Sequence, residues 1–221
     1  MSGPWYAAAL PDRSDAAWEV YHENSKHETG APRPVAGRVL PSAGLAHLPV
    51  LAPEARVAVN AGGLGADGLL ALLAGAGRPL AGDDPVLLFV YTAAVAGLPP
   101  ALAVHDPHAS CLRRLAGDVR PADVGAVLAT GNAEGAGAIV FLVADLAAAT
   151  AAAGERGYRD ALIAVGRHLA ALETAAPRGI AVERVAFHDR IADALLSLDG
   201  LSRSVIAAVA LRAAATREPP T

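Results

Sequence analysis

Polar and apolar positions divide the chain into an opening stretch without sustained periodicity and a longer part where short apolar runs alternate with helical stripes. Residues 1–50 are rich in proline and polar groups; the pattern predicts one short helix there, over Ser14–Ser25, with Ser14 or Asp15 as N-cap. This stretch reads as an arm. From Arg56, RVAVN alternates as a short strand does, and GADGLLALLAGAG after it has helical apolar spacing closed by glycine. The run DPVLLFVYTA, residues 84–93, is continuously apolar, as expected of a strand buried on both faces. GLPPALAVHDPHASCLRRL predicts a Gly/Pro turn, a short strand through Ala103, Val104 and His105, and a second turn at Asp106-Pro107 before a further strand or helix.

Further on, RPADVGAVLATG predicts a helix with Pro121 in its first turn, and AGAIVFLVADL, residues 136–146, a second buried strand. In ERGYRDALIAVGRHLAALETAA, the residues Tyr158, Leu162, Val165, Leu169 and Leu172 form one stripe of a long helix that ends at Pro177-Arg178-Gly179. GIAVERVAF is strand-like, DRIADALLSL helical, and SVIAAVALRAA fits a strand or a helix equally. Interleaved strands and helices give an α+β or α/β domain. The divisions expected are an arm over 1–50, one domain over 51–214 and a disordered tail over 215–221.

With 221 residues, 53% of them hydrophobic but only 4% aromatic, the chain can bury a core built mainly from Ala, Leu and Val. The net charge of −4 and the lack of any Lys/Arg block argue against a nucleic-acid partner. Cys111 is the only cysteine, so no disulfide framework exists. No basic-then-apolar leader and no long uninterrupted apolar window is present, so a cytoplasmic protein without a membrane span is expected.

Candidate chemistry is sparse. Gly63–Gly68 satisfies G-x-G-x-x-G between a predicted strand and helix, with Asp83 and Asp84 downstream. It fits a nucleotide site and is similar to the glycine-rich loop of adenylating enzymes, yet in a chain with 22 glycines a plain strand-to-helix turn fits it better. His105-Asp106-Pro107-His108 matches no closed metal spacing and reads as a turn, so no metal site is expected. His168 could act as a base or sit satisfied in a helix, and Asp189 after His188 would cap a helix.

Several stretches in order resemble the SagB-type dehydrogenases, nitroreductase-like flavoenzymes that oxidise azolines to azoles in modified-peptide biosynthesis. Tyr21-His22-Glu23-Asn24-Ser25-Lys26 is similar to that family's Tyr-His-x-x-Ser/Thr-Lys arm, and GLPPALAVHDP to its Gly-Leu-Pro-Pro hairpin. GERGYRDALIAVGRHLAAL matches its core helix, and AFHDRIADALLSLDG its Gly-Phe-Asp-Asp segment. The resemblance implies an α+β, nitroreductase-like fold: a mixed sheet flanked by helices, with an extended N-terminal arm.

It also implies FMN as cofactor, with Arg56, Asn60, Gly166 and Phe187 in the binding set. Here the family's Arg-Arg-Ser-x-Arg-x-Phe phosphate stretch is reduced to Ala55–Ala61, where only Arg56 is kept. A flavin phosphate wants Arg forks and hydroxyl donors, which Val57 and Val59 do not supply. The family's Lys-Tyr pair is absent, because the sole lysine, Lys26, precedes His27. Tyr158, His168 or His105 would have to take the proton, and Tyr158 and His168 are the candidates carried forward. Two functions follow: an FMN-dependent azoline oxidase, or a flavin-free subunit pairing with an active dehydrogenase or a peptide-cyclising complex. Expected partners are a second copy or a related dehydrogenase, cyclising enzymes and a precursor peptide.

Overall fold

The computed structural model describes residues 45, 48–52, 63–76, 84–115, 117–129 and 135–214. The predicted Ser14–Ser25 helix, the 56–60 strand and the 215–221 tail lie outside them. Helix α1 (Ala66–Ala76) precedes β1 (Val86–Thr92) and the hairpin of β2 (Ala101–Asp106) and β3 (Cys111–Arg114). Next come α2 (Pro121–Val127), β4 (Ala136–Asp145), α3 (Leu146–Ala153) and α4 (Arg156–Ala175). β5 (Ile180–Arg184), α5 (Asp189–Leu195) and β6 (Arg203–Ala213) complete the described elements.

Six strands form one sheet in the order β3-β2-β1-β4-β6-β5, every neighbouring pair antiparallel. The expectation of a mixed sheet is corrected: the sheet is antiparallel throughout, and the parallel bridge of Gly65 with Ala96 lies outside its strands. Tight turns such as the one between β2 and β3 can join only antiparallel strands. Outside the sheet, Val50 bridges Arg113 and the Leu51 N–H donates to the Leu112 carbonyl at 2.8 Å, so the residues around the expected 50/51 boundary dock along β3.

β1 and β4 sit at the centre, and their unbroken apolar runs follow from burial on both faces. Alternation sends Leu88, Val90, Val140 and Leu142 to a face covered by Leu69, Leu72 and Leu73 of α1 and Val165 and Leu172 of α4. Phe89, Tyr91, Ile139 and Phe141 go to the other face, under Val124 and Val127 of α2 and Ala192 of α5. Small residues let the helices close: a Cβ at Gly75 in α1 would lie 3.3 Å from that of Ala175 in α4.

SVIAAVALRAA resolves as strand β6, paired with β4 on one side and with β5 on the other. Its register shifts between Leu142–Ala207 and Val143–Val205, a bulge at Ile206 that leaves Ile206 and Ala207 both against the α4 side. Helix α3 is an addition to the expected elements; its sequence LAAATAAA carries no apolar stripe, but the Asp145 carboxylate caps it by accepting the Ala148 N–H at 2.9 Å. No helix among the described residues is long and apolar enough to cross a membrane.

Candidate functional site

Helix α4 carries most of the candidate chemistry, and its burial departs from the expected stripe. Gly157, Ala161, Val165, His168 and Leu172 are buried, whereas Tyr158, Leu162 and Leu169 are half-buried. His168 thus belongs to the inward face. Its Nε2 lies 2.6 Å from Asp84 Oδ2, while Asp84 Oδ1 accepts the Val86 N–H at 3.1 Å, so the pair pins α4 to the start of β1. His168 Nδ1 is buried without a hydrogen-bond partner.

The remaining candidates are dispersed. Tyr158 lines a cleft at the start of α4, but Gly166, eight residues on, lies about 12 Å further along the axis and faces outward, with open space where a Cβ would stand. Phe187 packs against the core on the opposite face of the sheet and bridges Leu128 through its backbone. Arg56 and Asn60 lie outside the described residues.

His105 is buried in β2 with an unpartnered Nε2; burial lowers its pKa to about 4 against the raising influence of the neighbouring Asp106. The Asp106 carboxylate accepts the His108 and Ala109 N–H groups at 3.1 Å and pairs with Arg113 at 2.7 Å, which makes His105–His108 a strand end and turn. Asp189 is the first residue of α5, not its cap: His188 occupies the cap with extended backbone, and no side-chain cap bond forms. Among the described residues no group of three or more His, Cys, Asp or Glu could hold a metal ion.

The glycine-rich segment opens α1, but its backbone is already engaged. Ala66 N–H donates to the Ala96 carbonyl and Ala96 N–H to the Leu64 carbonyl, each at 2.9 Å. A Cβ at Gly65 would meet nothing within 4 Å, and one at Gly68 only Leu64 Cδ1 at 3.8 Å, so neither glycine marks a close backbone approach. Asp84 is committed to His168 and Val86. The local geometry is that of a turn.

A cleft of about 820 Å³ lies between α3, the start of α4 and the start of β6. Leu146, Ala147 and Ile206 supply apolar wall, Thr150, Ser202 and Ser204 hydroxyls, and Glu155 a carboxylate. Gly200 and Leu201 form part of its rim, in a loop held by Asp199, whose Oδ1 accepts the N–H groups of Leu201, Ser202 and Arg203 at 2.8–3.0 Å. Those bonds pull the Asp199 pKa down to about 2. Of this set only Tyr158 is a candidate on the sequence; the Asp199-Gly200 turn is the local signal for the loop at the rim.

No family model matches the sequence, and no curated protein is similar to it. Solved structures are similar in fold. A protein of Anabaena variabilis assigned as a nitroreductase superposes with a TM-score of 0.61 at 16% identity, over 87% of this chain and 45% of that one. Another from Ralstonia eutropha gives 0.53 at 20% identity, over 87% and 92%. The chain has a nitroreductase-like fold. A chain of the Escherichia coli microcin synthetase McbBCD complex, solved with truncated pro-MccB17 bound, also superposes with a TM-score of 0.61, at 14% identity over 96% of this chain and 87% of that one. The chain spans less than half the length of the Anabaena protein.

The fit of FMN to this nitroreductase-like fold can be tested on the described residues. Gly166 and Phe187 lie on opposite sides of the sheet and do not share a pocket within one chain. The cleft that contains Tyr158 is lined by Glu155 and by no Lys or Arg, which suits a phosphate poorly. Tyr158, Gly166 and Phe187 therefore do not converge on one flavin-phosphate site within a single chain.

Proposed function

We propose that this chain is an oxidoreductase-fold component of modified-peptide biosynthesis whose redox activity, FMN-dependent azoline-to-azole oxidation, is completed by a second chain. The observation that carries this reading is the end-to-end superposition on a chain of the McbBCD complex, which leaves little of either chain unmatched. The resemblance segments also fall on contiguous elements: GLPPALAVHDP forms the turn into β2 and that strand, GERGYRDALIAVGRHLAAL opens and fills most of α4, and AFHDRIADALLSLDG forms α5 with its flanks. A bound flavin supplies a hydride acceptor. In this reading the second chain, a copy or a related dehydrogenase, brings polar groups to a site that one chain leaves incomplete.

A specific observation favours a second reading, a flavin-free subunit. His168, one of the two candidate bases, is buried and held by Asp84, and the candidate cofactor residues Gly166 and Phe187 diverge. The visible absorption spectrum after incubation with excess FMN and desalting separates the readings, taken on the chain alone and with a related dehydrogenase. Flavin bands retained with the second chain beyond those of the dehydrogenase alone support the oxidoreductase. Their absence from every mixture assigns the chain to the flavin-free role.

A further inference from the structure

We propose that the cleft between α3, α4 and β6 binds a peptide segment that presents a lysine or arginine side chain between apolar residues. The choice of a peptide rests on the reading of this chain as a component of modified-peptide biosynthesis; the preference for a cationic head rests on the cleft itself. Its volume of about 820 Å³ lies within the range of ligand sites.

The polar lining is rich in acceptors. The Thr150 hydroxyl donates to the Leu146 carbonyl and the Ser204 hydroxyl to Asp193 Oδ2, so both spend their proton inside the protein and offer a ligand only lone pairs. Glu155 adds a carboxylate. An ammonium or guanidinium head complements the Glu155 carboxylate and these lone pairs, whereas a carboxylate or phosphate would face the Glu155 charge with no Lys or Arg in the lining to offset it. The arginines nearest in sequence to the cleft are already engaged, Arg203 with Asp145 at 2.9 Å and Arg156 with Asp160 at 3.5 Å. The negative end of α3 and the positive end of α4 meet at Gly154-Glu155, and their opposed dipoles leave the Glu155 charge to set the local sign.

The apolar lining suits the stem of such a side chain and its neighbours. The β6 bulge turns Ile206 toward the same side as Leu146, and long basic side chains lay their methylenes along surfaces of this kind. At the rim, Leu201 is 82% exposed. That exposure belongs to a fixed loop: Asp199 holds three successive N–H groups, and Gly200, at φ +70°, donates to the Arg203 carbonyl at 3.0 Å. A leucine held outward beside a half-open cleft gives an apolar peptide residue its contact.

The test uses the full chain and three capped peptides that differ only in a central Lys, Gln or Glu between leucines, titrated by calorimetry without FMN. Expected is the order Lys, Gln, Glu, each step a few-fold, as an exposed ion pair allows. Glu155→Gln should erase the advantage of Lys over Gln, and Leu201→Ser should weaken all three peptides several-fold. Equal binding of the Lys and Glu peptides, a preference for Glu, or no binding of any peptide overturns the proposal. Binding of butylamine as tight as that of the Lys peptide overturns the choice of a peptide. Peptide selectivity without flavin bands in any mixture would leave this site standing while the redox reading falls, and flavin bands without selectivity would do the reverse.

Discussion

Where β5 leaves the first half of β6 uncovered, the buried Asp193 carboxylate takes the Val205 N–H at 2.8 Å and the Ser204 hydroxyl at 3.0 Å. Asp193→Ala strips that N–H of its acceptor, and a loss of about 1–3 kcal/mol is expected in urea denaturation. Gly200→Ala should also destabilise, because a Cβ at φ +70° would stand 2.9 Å from Asp193 Oδ2. In the double variant the loss should be smaller than the sum of the two single losses, since both act on one carboxylate. His105 gives a pH dependence. Its folded pKa of about 4 lies below the ordinary 6.5, so between those values the unfolded chain holds a proton that the folded chain does not. Stability should therefore fall as pH drops from about 6.5 to 4, by up to about 3 kcal/mol. The denaturation midpoint of His105→Gln, followed over the same range, should change far less. Asp106 titrates in a separate window: burial raises its pKa, but the Arg113 hydrogen bond, the turn N–H groups and the Arg113 charge outweigh this and hold it below the usual carboxylate range.

The corner between α3 and α4 depends on Gly157, whose Cβ position is occupied by the Ala149 carbonyl. Gly157→Ala must push the two helices apart, at an expected cost of about 1–3 kcal/mol, read as a lowered urea midpoint. At the other contact of α4, Asp84→Ala removes the acceptor of both His168 Nε2 and the Val86 N–H, and a loss of about 1.5–3 kcal/mol is expected. Flavin retention should be unchanged in that variant if the pair serves only to hold α4. These elements differ in how far the sequence showed them. β1 and β4 were legible as unbroken apolar runs because a strand buried on both faces needs nothing else, and α4 because its spacing persists over 20 residues. α3 was missed because eight small residues offer no period, although the Asp145 cap was there to be read. His168 was legible as a candidate but not as a core residue, since its partner Asp84 stands 84 positions away. The cleft was equally hidden, being assembled from the ends of α3, α4 and β6.

At the scale of the whole molecule, the sheet separates Phe187 from the outward face of α4 that bears Gly166, and no single ligand reaches both within one chain. A cofactor site that uses such residues needs a second chain, so flavin retention should depend on assembly. Expected is a flavin absorbance that rises with protein concentration, or with added dehydrogenase, in step with the mass seen by light scattering. Arg56 is the one arginine kept from the phosphate stretch that the resemblance supplies, and a charged hydrogen bond contributes about 1.5–3 kcal/mol. Arg56→Ala should then weaken FMN retention by roughly tenfold to a hundredfold while leaving the mass of the assembly unchanged. If retention is the same in the variant, the phosphate is held elsewhere or by the partner alone. If mass and retention fall together, Arg56 acts in assembly, and the loss of flavin is a consequence of separated chains.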